Sequence, residues 1–401
     1  MRRSQSPNPN RWLMLLLGLL AQAAASSYLY GLPMLLPQLR SEGHLSLAAA
    51  GWLVAAPSIG LLVTLIPWGF VVDRRGERGA MSGGLAVAGV FLILAATTHG
   101  YATRLVLLAI AGGGGGSVNS AGGRLVMGWF APHERGTAMG WRQTAQPLGV
   151  ALAAATFPPI ANAWGSGWAI ALPAAFCLAG GAAVRLFVVD PPRPPKPAAA
   201  ARAASPYRVP TLWRVHLASA LLVVPQFAVS AFALEYLVTE RHWATAAAGR
   251  LLFCFQIAGA AGRVASGMWS DRAGSRLGPM RVVASAAALT MLAAGVGAAQ
   301  GSVVAVIALG IGAVVTVADN GLGFTATAEL AGPAWAGRAM GVQNTGQNLT
   351  AALTPPMLGA VIASHGFGPG FAVVAIFPLA AVLATPVAAE TRRVAAAAVS
   401  R

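Results

Sequence analysis

Asp319 is the only acid deep within an apolar stretch of this 401-residue chain, and Arg263 lies inside another such stretch. An ionisable group near the centre of a membrane helix costs about 2.5 to 3.5 kcal/mol on insertion scales, so each needs a partner or a task. A carboxyl group so placed can load and release a proton, which makes Asp319 the candidate proton-coupling residue. A static salt bridge or helix-to-helix hydrogen bond is its other reading. A guanidinium donates two parallel hydrogen bonds and fits a planar carboxylate or nitrate. Arg263 is therefore a candidate substrate ligand, with pairing to a neighbouring acid as the alternative. Asn119, Asn320, Gln143, Gln146, Asn344 and Gln347 supply neutral amides for a binding site, although amides also glue membrane helices together. Tyr28 adds a hydroxyl. Arg124 and Arg142 lie nearer the ends of their stretches and are expected to snorkel there in structural roles. No Ser-His-Asp or paired-carboxylate arrangement suggests catalysis, and His133 has no second ligand at metal spacing. Neither an enzyme nor a cofactor is expected.

The elements that must position these residues follow from composition. Hydrophobic residues make up 56% of the chain and charged residues only 9%, against roughly 25% charged in soluble domains. Apolar runs long enough to cross a bilayer recur at 12–36, 47–72, 80–98, 104–129, 138–161, 166–188, 212–237, 245–270, 281–299, 302–329, 338–363 and 368–388. Twelve spans are thus expected, all helical, because backbone groups in lipid must pair within their own segment. The alternating ten-residue strands of a membrane barrel are absent. The net charge of +16 would suit nucleic acid in a soluble protein. Here only Arg40, Arg104, Arg241 and Arg250 of the basic residues fall at outer ends when the N-terminus is inside. That positive-inside bias predicts both termini in the cytoplasm and no nucleic-acid partner. Cys177 and Cys254 lie within spans and imply no disulfide. Arg2, Arg3 and Arg11 before Leu13 could imitate a signal peptide, but apolar sequence continues to Pro37, which favours a first span.

Residues 190–211, containing PPRPPKP, read as a basic, extended linker between a bundle at 1–189 and another at 212–401. Those halves repeat. Gly69, Asp73, Arg74, Gly76 and Arg78 recur as Gly267, Asp271, Arg272, Gly274 and Arg276, each displaced by 198 positions. Ala138, Met139, Gly140, Thr144, Gln146 and Leu148 recur as Ala339, Met340, Gly341, Thr345, Gln347 and Leu349, each displaced by 201. Such duplication underlies transporter folds whose substrate sites lie near the midplane.

The run Gly69-Phe-Val-Val-Asp73-Arg74-Arg75-Gly76-Glu77-Arg78, echoed by GMWSDRAGSR at 267–276, resembles the major facilitator superfamily signature between the second and third spans. The resemblance implies two pseudo-symmetric six-helix bundles, with spans 1, 4, 7 and 10 around a central cavity. It also implies that Asp73 faces the start of span 11 and Asp271 the start of span 5, with the arginines completing a gating network. Two departures stand out. Leu107 and Leu108 occupy the place of a span-4 arginine carried by many members, followed by five glycines, Gly112 to Gly116. Leu65 occupies the span-2 position of the two-arginine clamp of nitrate carriers, whereas Arg263 resembles the span-8 arginine of anion-carrying branches. The segment from Trp129 to Gly136 also resembles monocarboxylate and organic-anion branches. The expected function is proton-coupled, alternating-access transport of a small organic anion, such as a monocarboxylate, by a monomer in the cell membrane. Proton-driven efflux of a lipophilic compound is the main alternative, although Gln146-Pro147-Leu148-Gly149 is an incomplete antiporter pattern. A receptor built on the same fold is the third.

Overall fold

The computed structural model describes residues 10–45, 47–192, 205–332 and 334–390, and these are helical with short connections. The helices are α1 (Arg11–Leu29), α2 (Leu36–Glu42), α3 (Leu47–Arg75), α4 (Glu77–Thr97), α5 (Tyr101–Trp129), α6 (Arg135–Gln143), α7 (Ala145–Trp164) and α8 (Ser166–Phe187). They continue as α9 (Pro210–Thr239), α10 (Thr245–Ala273), α11 (Leu277–Ala299), α12 (Val303–Val315), α13 (Asp319–Ala331), α14 (Ala336–His365), α15 (Phe367–Val374) and α16 (Ile376–Ala384). Local chemistry sets several boundaries. The Asn10 side chain caps α1 by accepting from the Trp12 amide at 3.0 Å. Pro210 opens α9, where its missing N–H costs nothing. Gly76, at φ +94°, makes the turn into α4 that a side chain would strain.

Among the described residues, ten segments are long and apolar enough to cross a bilayer. Twelve spans were expected, and the two that fall short are those at 138–161 and 338–363. The reason is composition. α6 and α7 are interrupted at Thr144 and carry Arg142, Gln143 and Gln146, whereas α14 carries Gln343, Asn344, Gln347 and Asn348. The chain is an all-helical, multi-spanning membrane protein. Its outer surface agrees with lipid as solvent, since Val63, Leu289 and Leu383 are 71%, 69% and 76% exposed.

Two compact units form. The first holds α1 to α5, α7 and α8; the second holds α6, joined to it at 132–143, and α9 to α16. Residues 193–204 of the expected linker lie outside the described residues, and the described part ends in a short turn at Pro206–Arg208.

The core of the first unit is built around α5. Its five glycines form unbroken helix rather than a loop. A Cβ on Gly114 would lie 2.5 Å from the Gly84 carbonyl oxygen of α4, and one on Gly112 would lie 2.5 Å from the Pro57 carbonyl carbon of α3. The run therefore lets three helices approach backbone to backbone. Polar groups of α3 seal the contact: Thr64 Oγ1 and Trp68 Nε1 both donate to the Gly113 carbonyl, at 2.9 and 2.7 Å.

Candidate functional site

The second unit gathers the buried Arg142, Arg263 and Asp319 around a tightened turn. Between α12 and α13 the helix narrows: the Ala318 amide donates to the Val315 carbonyl at 3.1 Å and that of Asn320 to Val317 at 3.4 Å. Such i to i−3 bonding leaves carbonyls short of partners. Ser266 of α10 supplies one, its hydroxyl donating to the Ala318 carbonyl at 2.7 Å. Asp319 begins α13 immediately after this turn, is 1% exposed, and its Oδ2 has no hydrogen-bond partner among the described residues. Arg263 of α10 is 6% exposed. Its Nη1 donates to the Gln143 main-chain carbonyl at 2.6 Å, and its Nε has no hydrogen-bond partner among the described residues. Asp319 and Arg263 lie within electrostatic reach of each other, yet among the described residues no direct ion pair joins them.

The end of α6 completes this cluster. Arg142 is 4% exposed, donates from Nη1 to Gln143 Oε1 at 2.8 Å, and carries its guanidinium carbon 5.8 Å from the centre of the Phe324 ring of α13. It does not snorkel to a boundary. Sequence depth alone placed it near a helix end; which way the side chain rotates depends on α6 lying against α10 and α13. Nearby in sequence, Asn320 donates through Nδ2 to Gln226 Oε1 of α9 at 3.1 Å. On α14, Asn344 donates to the Met340 carbonyl at 3.0 Å, and the buried Gln347 leaves its Nε2 without a partner.

Other expected site residues fall in the first unit. Tyr28 is fully buried and donates its hydroxyl to the Ala111 carbonyl of α5 at 2.7 Å. Asn119 accepts from Gln22 Nε2 at 3.3 Å, and Gln146 lies half-buried on α7.

The signature acids hold helix ends. In the second unit, Asp271 accepts from the Gly136 amide at 2.9 Å and from the Thr137 amide and hydroxyl, each at 2.7 Å. A carboxylate at this position satisfies the unpaired donors of the first turn of α6 and faces the positive end of its dipole. Gly267 permits the approach, since a Cβ there would lie 3.0 Å from the Thr137 amide nitrogen. Arg276 pairs with Asp271 at 2.6 Å and with Glu329 at 3.5 Å, and Arg135 lies 3.7 Å from Glu329. In the first unit, Asp73 pairs with Arg124, which also pairs with Glu77 at 2.8 Å. Gly69 is buried on α3, while Arg74 and Arg272 are exposed. Arg78 donates from Nε to the Arg185 carbonyl at 2.7 Å.

Sequence reasoning missed a symmetric pair of caps. Asp190 accepts from the Arg78 amide at the start of α4 at 2.6 Å. Glu390 accepts from the Arg276 and Leu277 amides at the start of α11, at 2.6 and 3.1 Å. The two acids are displaced by 200 positions, a repeat signal hidden because each follows the last apolar run of its half. A second polar network, also missed, joins α9 to α14. Burial pushes the Tyr207 hydroxyl up to about 12, so it remains a donor to His216 Nε2, 3.1 Å away. His216 Nδ1 then donates to Gln343 Oε1, and Gln343 Nε2 donates to Ser219 Oγ at 2.6 Å.

The profile described as the Major Facilitator Superfamily matches residues 14–355. An uncharacterized MFS-type transporter of Mycobacterium tuberculosis is 42% identical over 379 residues, covering 94% of this chain and 85% of that protein. A probable L-galactonate transporter of Escherichia coli is 31% identical over 123 residues, 30% of this chain and 26% of that one. Among solved structures, the Escherichia coli fucose:proton symporter matches with a TM-score of 0.73 at 17% identity, covering 92% of this chain and 97% of that one. The human organic anion transporter MFSD10 also gives 0.73 at 17% identity, over 94% of this chain and 100% of that one. The chain belongs to the Major Facilitator Superfamily and is a membrane transporter of that class, not an enzyme.

Proposed function

We propose that this chain carries a small organic anion, with a monocarboxylate as the best fit, across the cell membrane by proton-coupled alternating access. In this reading α6–α7 and α14 also cross the bilayer, giving twelve spans with both termini in the cytoplasm. Asp319 takes up and releases the proton, and Arg263 holds the carboxylate. The single observation that carries the proposal is the pair of unpartnered buried groups, Asp319 Oδ2 and Arg263 Nε, set within electrostatic reach but not locked in an ion pair. A static structural bridge would consume both. A carboxylate with one open oxygen beside a guanidinium with an open Nε suits coupled transport. Two buried guanidinium groups, Arg142 and Arg263, also favour an anion over a lipophilic compound. The partial similarity to a probable L-galactonate transporter supports the same substrate class, since that compound is an organic monocarboxylate.

Thermal unfolding of the purified chain with a panel of carboxylates, neutral sugars and cationic drugs tests the assignment. Carboxylates alone are expected to raise the midpoint, and Arg263→Ala to abolish that rise. Stabilisation by cationic drugs, or carboxylate stabilisation that survives Arg263→Ala, would refute it.

A further inference from the structure

Gln143 is the last residue of α6, and the chain passes there from the second unit to the first. Its two oxygens face two guanidinium groups. The main-chain carbonyl accepts from Arg263 Nη1 at 2.6 Å and the side-chain Oε1 accepts from Arg142 Nη1 at 2.8 Å. We propose that Arg142 and Arg263 form a two-guanidinium carboxylate site, which Gln143 fills with its own two carbonyl oxygens and which a substrate carboxylate enters by displacing it. This rests on the reading of Arg263 as the anion ligand and adds a second ligand and an internal competitor.

The geometry supports each part. Both guanidinium groups are buried, so neither is a boundary charge held by water. The Arg142 guanidinium carbon lies 5.8 Å from the centre of the Phe324 ring, within range of a cation–π attraction. Close packing of α6 on α10 brings the two arginines to one residue, since a Cβ on Gly140 would lie 2.5 Å from the Arg263 carbonyl oxygen and 2.9 Å from Val264 Cα. A helix C-terminus leaves carbonyls without intrahelical partners, and here Arg263 reaches the final one of α6. Amide oxygens are neutral acceptors. A carboxylate offers two charged ones, whose hydrogen bonds are roughly twice as strong, so it can displace Gln143 from both arginines. The clamp missing at Leu65 is thus supplied from α6. Displacement also frees the end of α6 where the chain changes units, tying substrate entry to the segment that Asp271 holds at its other end.

Titration of acetate and L-galactonate into the purified full chain, checked for monodispersity, tests this. Arg142→Ala and Arg263→Ala should each weaken binding by roughly tenfold or more. Arg142→Lys should recover only part, because an ammonium lacks the fork. Gln143→Ala removes the side-chain one of the two competing oxygens and should tighten binding several-fold, a gain that misfolding cannot mimic. If Arg263→Ala weakens binding while Gln143→Ala fails to tighten it or Arg142→Ala leaves it unchanged, this inference is overturned and Arg263 stands alone as the ligand. If neither anion binds the wild-type chain, the reading of the site as a carboxylate site falls with it.

Discussion

At Asp271 a single carboxylate collects three donors from the first turn of α6 and an arginine besides. Hydrogen bonds to a charged group contribute about 1.5 to 3 kcal/mol each, so this residue dominates the hold on that end of the helix. Asp271→Asn keeps an acceptor but loses the charge. We expect it to insert normally and to slow uptake into vesicles by several-fold; an unchanged initial rate at equal protein content would show that the contact plays no part in the conformational cycle. Asp319, Arg263 and Asp271 were legible in the sequence because a charge in an apolar run, or at its repeated boundary, has few uses. Arg142 was not, since depth along a helix says nothing about rotation around it. Glu390 was not, because an acid beyond the last apolar run looks like any solvated charge until its displacement from Asp190 is noticed.

Among the elements, the two stretches that fall short of bilayer-crossing apolarity are repeat equivalents: α6–α7 and α14 share the Ala-Met-Gly and Gln-x-Leu matches. Apolar periodicity overestimated both, because a helix sheltered by its neighbours can carry amides that a lipid-facing helix cannot. The interruption at Thr316 to Ala318 was also invisible, since no proline lies near it, whereas Pro147, whose missing N–H cannot bond the Gln143 carbonyl four residues back, marks the one at Thr144. The glycine run of α5, by contrast, was legible as a packing surface. Gly114→Leu should lower stability by roughly 1 to 3 kcal/mol, the usual penalty of overpacking. Gly79→Ala, where a Cβ would meet nothing within 4 Å, should leave it unchanged or raise it by a few tenths up to about 1 kcal/mol. Equal midpoints for the two variants in thermal unfolding would refute the packing role.

For the molecule as a whole, the sequence repeat and the departures from it fall on different residues. Asp190 and Glu390 cap equivalent helices, and Asp73 and Asp271 both meet arginines. Yet Asp319 stands opposite Val118, Arg263 opposite Leu65 and Arg142 opposite Gln343. The charged residues of the proposed site therefore lie where the halves disagree, all in the second unit. Fold class and repeat were readable because they are written in hundreds of residues; the site rests on a few side chains whose neighbours only the folded chain reveals. Coupling between anion and proton is central to the proposed function. In proteoliposomes carrying an internal pH dye, an inward gradient of a carboxylate substrate should drive proton entry in the wild-type chain. Asp319→Asn should abolish that proton movement while preserving exchange of labelled substrate across the membrane. Proton entry that persists in Asp319→Asn at the wild-type rate would contradict the account.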